Sequence, residues 1–134
     1  MIKPLDILLV EDDIDDVDLL KDALNDNNVH YKMEVIMEGD KVYNYLKESV
    51  KLPGIIVMDL NLPKADGKEI LQELKSNLPL IDIPIIVLTT SSSRDDIDYC
   101  NRMGISKFIT KPNTIDGWNT TISSILDVAS AIQN

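Results

Sequence analysis

Residues 55–63 read IIVMDLNLP, four apolar residues of which three are β-branched, followed directly by Asp59. A short, continuous apolar run of this kind is typical of a strand buried on both faces of a parallel sheet. Residues 7–10 and 85–88 form two further runs of the same character. Together the three runs predict the central strands of an α/β domain.

Two weaker apolar segments predict the edges of the same sheet. Residues 33–37 are interrupted by the charged Glu34, and residues 107–110 are short and partly polar. Strands at the edge of a sheet are less enclosed than central strands and often carry charged residues. We therefore expect these two segments to flank the three central strands.

Between the strands, apolar residues recur at the spacing of amphipathic helices. The four clear stripes consist of Ile14, Val17, Leu20 and Leu24; Val42, Tyr45 and Leu46; Ile70, Leu71, Leu74 and Leu78; and Trp118, Ile122, Ile125, Ala129 and Ile132. A fifth helix is predicted over residues 94–103, because Ser92 or Ser93 can serve as its N-cap. Gly104 marks its end, and Cys100 lies on its thin apolar stripe.

The alternation of strands and helices decides the fold class. It repeats five times without an internal repeat, a low-complexity tract or a long linker. This order predicts an open α/β sheet with right-handed crossovers. At 134 residues the chain has the length of one ordinary domain.

Charge and composition exclude several classes of function. The formal net charge of -10 argues against nucleic-acid binding, because phosphate backbones repel an acidic surface, so we expect protein partners. One cysteine, Cys100, and one histidine, His30, make neither an internal disulfide nor a zinc site, which favours a reducing cytoplasm. The apolar run ending at Val10 is far too short to span a membrane and lacks a signal-peptide cleavage region.

Polar residues follow each predicted strand at the edge where ligands bind in open α/β sheets, beyond the carboxyl ends of the strands. Carboxylates, hydroxyls and one lysine are therefore expected to converge there. The residues after strands one, three, four and five are, in order, Glu11, Asp12 and Asp13; Asp59 and Asn61; Thr89, Thr90 and Ser91; and Lys111 and Pro112.

The order and spacing of these residues resemble the receiver domain of two-component response regulators. Asp59 follows Asp12 by 47 positions, and Lys111 follows Thr89 by 22. The likeness covers nearly the whole chain, and residues 59–67 and 83–97 also look like the stand-alone regulators that pair with bacterial phytochrome-type kinases. The family's motifs occur in order at residues 10–13 (VEDD), 58–63 (MDLNLP), 66–67 (DG), 88–89 (LT) and 111–112 (KP).

The resemblance implies a flavodoxin-like fold, with a five-stranded parallel sheet of order 2-1-3-4-5 and helices on both faces. It also implies that residues 1–134 form a single receiver domain with no output domain. A further implication is that the Lys111–Pro112 peptide bond is cis.

The resemblance also assigns a phosphorylation site and a metal site. Asp59 is expected to accept a phosphoryl group, with Mg²⁺ bound beside it. Asp12 and Asp59 would bind the ion directly, the backbone carbonyl of Asn61 would add a ligand, and Glu11 would act through water. The chemistry is consistent, because an anionic nucleophile that approaches a phosphoryl group needs its charge offset, and Mg²⁺ prefers oxygen ligands.

Four other residues receive roles from the same resemblance. Lys111 would bind the phosphoryl oxygens, and Thr89 would donate a hydrogen bond to them and so sense phosphorylation. Phe108 would be the aromatic switch of the family, although an aromatic residue in a strand is more often plain core. Asn61 and Ser91 would tune autodephosphorylation.

Each polar group also has an ordinary structural interpretation. The acidic triplet could be a solvated helix start, since carboxylates suit the positive end of a helix dipole. Asp13 has two equal interpretations, as the cap of the first helix or as a peripheral member of the site. Lys111 alone would be an exposed loop lysine, and Cys100 is interpreted as inert packing.

Three competing functions remain to be weighed. An aspartate-nucleophile phosphatase also uses Asp and Mg²⁺, but it usually carries an Asp-x-Asp pair near the first strand. Flavin binding would need a phosphate in the first strand-helix loop, where three carboxylates would repel it. A degenerate receiver that acts without phosphorylation would lack part of the site.

We therefore expect a cytoplasmic phosphorelay switch and not an enzyme beyond its own phosphoryl transfer and autodephosphorylation. Its phosphoryl donor would be a sensor histidine kinase or a histidine phosphotransfer domain, and its output a changed contact with a downstream protein. A homodimer through helix four, strand five and helix five is a further expectation. Tyr99, Arg102 and Trp118 are its predicted exposed residues.

Overall fold

A computed structural model describes the backbone of residues 3–133 and the side chains of residues 3–131. Within that range five strands alternate with five α-helices. They are β1 (Leu5–Val10), α1 (Ile14–Asp26), β2 (Tyr31–Ile36), α2 (Val42–Glu48), β3 (Ile55–Met58), α3 (Gly67–Lys75), β4 (Ile85–Thr89), α4 (Arg94–Arg102), β5 (Lys107–Thr110) and α5 (Ile115–Gln133). Short 3-10 turns at Gly39–Lys41 and Leu80–Asp82 precede α2 and β4.

The five strands form one parallel sheet of order β2-β1-β3-β4-β5, so the predicted topology and the predicted edge strands are confirmed. The register pairs Val10 with Met58, and the ladder continues one residue farther because the Asp59 backbone N–H donates to the Val10 carbonyl at 3.0 Å. The Lys111 N–H likewise donates to the Thr89 carbonyl at 2.7 Å. The polar residues after the strands are thereby aligned along one edge.

Helices cover both faces of the sheet, as predicted. On one face, Leu8, Ile56 and other strand residues pack under α2, α3 and α4, with Cys100 fully buried among them. On the other face, Leu9, Val57 and their neighbours pack under α1 and α5. The prediction that Cys100 is packing is confirmed, and burial raises the pKa of its thiol to about 11.

Side-chain caps begin four of the helices; at α5 the Thr114 hydroxyl accepts from the Gly117 N–H at 3.0 Å. Asp13 accepts from the Asp15 N–H at the start of α1, Asp66 caps α3, and Ser93 caps α4. Of the two interpretations of Asp13, the structure shows the cap. Gly104 follows α4 with φ +77°, a left-handed conformation that favours glycine and ends the helix.

The predicted apolar stripes were wrong at three positions. Ile14 is 59% exposed, because it occupies the first helical residue after the cap, where its side chain faces solvent. Tyr45 is exposed on the short α2, which buries only Val42 and Leu46. Leu78 is 82% exposed, because α3 ends before it. Leu78 precedes Pro79, and the helical conformation is unfavourable for a residue directly before proline. The side chain of Ile132 lies outside the described residues.

The expected exposure of two aromatic residues and the expected position of a cis peptide bond need correction. Trp118 is only 4% exposed and packs in the core beneath α1 and α5, because its large apolar ring faces the sheet. Arg102 is exposed, while Tyr99 is half-buried and its hydroxyl donates to the Lys68 carbonyl at 2.9 Å. Among residues 3–133 the cis peptide bond joins Leu78 and Pro79, so the prediction of a cis bond between Lys111 and Pro112 is wrong. The cis and trans forms of an X-Pro bond differ little in free energy, so the residue types alone do not indicate which of these bonds is cis.

No helix within the described range has both the length and the apolar character required to cross a membrane.

Candidate functional site

Asp59 lies at the centre of the carboxyl edge of the sheet, directly after β3. Its side chain is almost fully buried, with 6% exposed. One carboxylate oxygen, Oδ1, accepts from the Asn61 N–H at 3.1 Å, and Oδ2 accepts from Lys111 Nζ at 2.8 Å. Both oxygens are therefore held in place by donors from the loop after β3 and the loop after β5.

Glu11 and Asp12 follow β1 and bring two more carboxylates next to Asp59. Glu11 is buried and Asp12 is exposed, so the cluster opens to solvent on one side. One carboxylate oxygen from each of the three residues lies within 4.8 Å of the other two. Ligands of an octahedral Mg²⁺ at about 2.1 Å are separated by roughly 3 to 4 Å, so the three residues fit such an ion with small adjustment.

Lys111 is the counter-charge of this cluster. Its side chain is 8% exposed, and Nζ lies 3.0 Å from Glu11 Oε1, 2.7 Å from Asp16 Oδ2 and 2.8 Å from Asp59 Oδ2. The interpretation of Lys111 as an exposed loop lysine is therefore wrong. One ammonium faces three carboxyl groups, and Asp12 adds a fourth nearby, so the site favours a further cation.

The pKa values of these groups move in different directions. Burial raises the pKa of Glu11 to about 7, and the hydrogen bond from Lys111 offsets only part of that effect. Burial also acts on Asp59, but hydrogen bonds from Lys111, Thr89 and the Asn61 N–H outweigh it and lower the pKa of Asp59. Burial opposes the charge of Lys111, yet its three carboxylate partners hold its pKa above the usual value. Asp59 and Lys111 are thus both ionised at neutral pH.

Thr89 ends β4 beside Asp59 and is fully buried. Its hydroxyl accepts from the Ser91 N–H at 3.4 Å. The Ser91 hydroxyl in turn donates to the carboxylate of Asp96 at the start of α4, and Lys68 Nζ on α3 lies 2.6 Å from the same carboxylate. A polar chain therefore connects the edge of the acidic cluster with the surface between α3 and α4.

The remaining predicted residues have more peripheral positions. Asn61 is exposed and contacts Asp59 through its backbone N–H. Phe108 is half-buried on β5 and packs against the core beneath α2, α3 and α4. The roles of Asn61 and Ser91 in autodephosphorylation and of Phe108 in switching stay predictions.

Gly67 explains why the loop behind Asp59 has a fixed path. A Cβ atom on Gly67 would lie 2.5 Å from Leu60 Cα and 2.7 Å from the Leu60 carbonyl oxygen, so any larger residue would displace backbone. The Gly67 N–H donates to that carbonyl at 3.0 Å. The start of α3 is thereby packed directly against the residue that follows Asp59.

Asp16 is the residue at this site that the sequence did not indicate. It lies in the first turn of α1 and forms the shortest of the three contacts with Lys111. The sequence shows only that acidic residues are frequent at the start of this helix, and Asp13 and Asp15 belong to the same group, so nothing distinguished Asp16.

Comparisons with known proteins agree with this geometry. A family model described as the response regulator receiver domain matches residues 7–122. Response regulator Rcp1 of Synechocystis sp. is 34% identical over 117 residues, which cover 84% of this chain and 80% of that protein. The phosphorylated cyanobacterial phytochrome response regulator RcpA superposes with a TM-score of 0.85 at 32% identity, and the match covers 93% of both chains. The Mn²⁺-bound form of Rcp1 superposes with a TM-score of 0.82 at 31% identity, covering 91% of both chains.

The chain therefore belongs to the response regulator receiver domain family, whose members act in phosphorylation-dependent signalling of two-component systems. The predicted membership of the receiver family is confirmed, and so is the predicted likeness to stand-alone regulators of the phytochrome type. They favour the receiver over the phosphatase and flavin-binding interpretations.

Proposed function

We propose that Asp59 accepts a phosphoryl group from a phosphohistidine of a sensor histidine kinase or a histidine phosphotransfer domain. The observation that carries the proposal is the position of Asp59, a buried carboxylate with a lowered pKa, between an acidic pair and a buried ammonium. An ionised carboxylate has the electron pair needed for attack on phosphorus. The new oxygen–phosphorus bond gives an acyl phosphate as the phosphorus–nitrogen bond breaks and the histidine leaves.

The acidic cluster supports Mg²⁺ as the cofactor. Asp12, Asp59 and the backbone carbonyl of Asn61 would hold the ion, and Glu11 would contact it through water. When bound, Mg²⁺ would offset the negative charge of the carboxylates and of the phosphoryl oxygens. The relative Rcp1 has been crystallised in a Mn²⁺-bound form, which agrees with a divalent ion at this kind of site.

The positions of Lys111 and Thr89 support a role for both as phosphoryl ligands. Lys111 Nζ lies 2.8 Å from Asp59 Oδ2, so a phosphoryl group on Asp59 would lie within reach of its charge. The Thr89 hydroxyl, buried beside Asp59, would donate to a phosphoryl oxygen. Because Thr89 accepts from the Ser91 N–H, a change in its position would be transmitted to the loop that leads into α4.

The output of the switch would be a changed contact with a downstream protein on the face formed by α4, β5 and α5, with Phe108 coupling this face to the site. Homodimerisation through the same face is one form of that output, with Arg102 as its exposed charged residue. The single domain would act in the cytoplasm, where a kinase of the phytochrome-associated type could serve as donor.

Binding of beryllium fluoride, which mimics a phosphoryl group on a carboxylate, tests the proposal. With Mg²⁺ present, ¹⁹F NMR should show a bound signal for the wild type and for Asp127→Asn, a control on the exposed surface of α5. Asp59→Asn should show no such signal, because a neutral amide replaces the carboxylate that would hold the beryllium. A bound signal of wild-type intensity in Asp59→Asn would reject Asp59 as the acceptor.

A further inference from the structure

Asp16 stands apart from the other carboxylates that contact Lys111. Its Oδ2 atom lies 2.7 Å from Lys111 Nζ, and its side chain is 21% exposed. The group of carboxylates close enough to share a metal ion consists of Glu11, Asp12 and Asp59 and does not include Asp16. Asp16 is therefore a partner of the ammonium only.

All three N–H donors of the Lys111 ammonium have acceptors. An ammonium has three N–H donors, and here they meet the carboxylates of Glu11, Asp16 and Asp59. A divalent cation on the acidic cluster would bind Asp59 directly and Glu11 through water, so both carboxylates would hold Lys111 less strongly, and the charge of the cation would repel the ammonium. Asp16 is then the one carboxylate partner of Lys111 that the ion does not share.

We propose that Asp16 is a positioning residue that tethers Lys111 in the site while a divalent cation occupies Glu11, Asp12 and Asp59. The tether leaves two N–H donors of Lys111 free for phosphoryl oxygens. This inference rests on the proposed function, in which Lys111 binds the phosphoryl group on Asp59.

The local structure makes the tether rigid. Asp13 caps α1, and the Val17 N–H donates to the Asp13 carbonyl at 3.1 Å, so the first turn that carries Asp16 is fixed. Asp16 precedes the buried Leu20 by four residues, which places both on the face of α1 that packs toward the sheet. Asp15, its neighbour in sequence, is exposed.

The reactivity of Lys111 toward an amine-modifying reagent, measured by peptide mass spectrometry, tests this inference without phosphorylation. In the wild type, Lys111 should stay protected both with EDTA and with saturating Mg²⁺. In Asp16→Asn it should be protected with EDTA, because Glu11 and Asp59 still hold it, and should react several-fold faster with Mg²⁺. Asp15→Asn, which removes the same charge from the same helix turn, should behave like the wild type.

Two further measurements complete the design. Asp16→Glu should restore most of the protection, and calorimetry should establish that Mg²⁺ is saturating for each variant. The rate of Asp59 phosphorylation by acetyl phosphate should fall several-fold in Asp16→Asn and not in Asp15→Asn. Equal Lys111 reactivity in Mg²⁺-loaded wild type and Asp16→Asn would overturn the inference. A failure of the proposed function would appear separately, as a wild type that is not phosphorylated on Asp59.

Discussion

Replacing Lys111 by methionine should destabilise the metal-free protein strongly. The substitution keeps the apolar stem but removes a charge that lies within 3.0 Å of three carboxylates. Each contact has a Coulomb energy of roughly 6 kcal/mol at an effective dielectric of about 20, most of it offset by desolvation. Breaking a buried ion pair typically costs about 3 to 5 kcal/mol.

The cost is reduced because one of the carboxylates can take up a proton. Glu11, with its pKa of about 7, is partly protonated at neutral pH even when Lys111 is present. We therefore expect a loss of about 2 to 4 kcal/mol in the free energy of unfolding, which for this chain length lowers Tm by roughly 7 to 14 °C.

Urea unfolding followed by circular dichroism at pH 7, with EDTA present, measures this loss. Lys107→Met is the matched control, because Lys107 is exposed on β5 and donates one hydrogen bond to the Ser124 hydroxyl at 3.1 Å. Added Mg²⁺ should restore part of the stability of Lys111→Met by supplying another cation. If Lys111→Met loses no more stability than Lys107→Met, the ammonium is not the counter-charge of the acidic cluster.

Two other predictions concern the carboxylates of the site. In EDTA the folded protein should keep a proton on Glu11 up to about pH 7, whereas the unfolded chain releases it near 4.5. The stability from this proton is fully present below the lower value and is lost as pH rises through the higher one, by at most about 3 kcal/mol. Glu11→Gln should remove this part of the pH dependence in urea titrations, and Glu34→Gln on the exposed edge strand should not; identical profiles would contradict the raised pKa. Asp12→Ala should abolish the rise in Tm that millimolar Mg²⁺ gives the wild type, without lowering the Tm measured in EDTA. A wild-type response of Asp12→Ala to Mg²⁺, with K⁺ as the control for screening, would show that Asp12 is not a ligand.

The sequence was sufficient to predict the strands of the sheet, because continuous apolar runs are a strong and local signal. Ile55–Met58 is apolar throughout and all four residues are buried, as a strand covered on both faces requires. The two weaker segments, which carry charged or polar residues, became the edge strands because edge strands are less enclosed. The strand order itself came from the family motifs, since apolar runs do not say which strands are neighbours.

The details that the sequence missed depend on side-chain direction and on tertiary packing. Asp15 and Asp16 are equivalent in sequence, and only the rotation of α1 relative to Lys111 separates them. Trp118 lies on an apolar stripe but was expected at an exposed face, and the packing of α5 against α1 buries it. Leu78 continued a helical stripe, but the helix had already ended.

Mapping the phosphorylated residue tests the central claim most directly. The protein is incubated with acetyl phosphate and Mg²⁺, the acyl phosphate is trapped by borohydride reduction, and the peptides are sequenced by mass spectrometry. We expect modification at Asp59, dependent on Mg²⁺, absent in Asp59→Asn and unchanged in Asp40→Asn, whose replaced aspartate is exposed at the turn before α2. A phosphoryl group that forms at full level in Asp59→Asn, or that modifies a different residue of the wild type, would contradict the account.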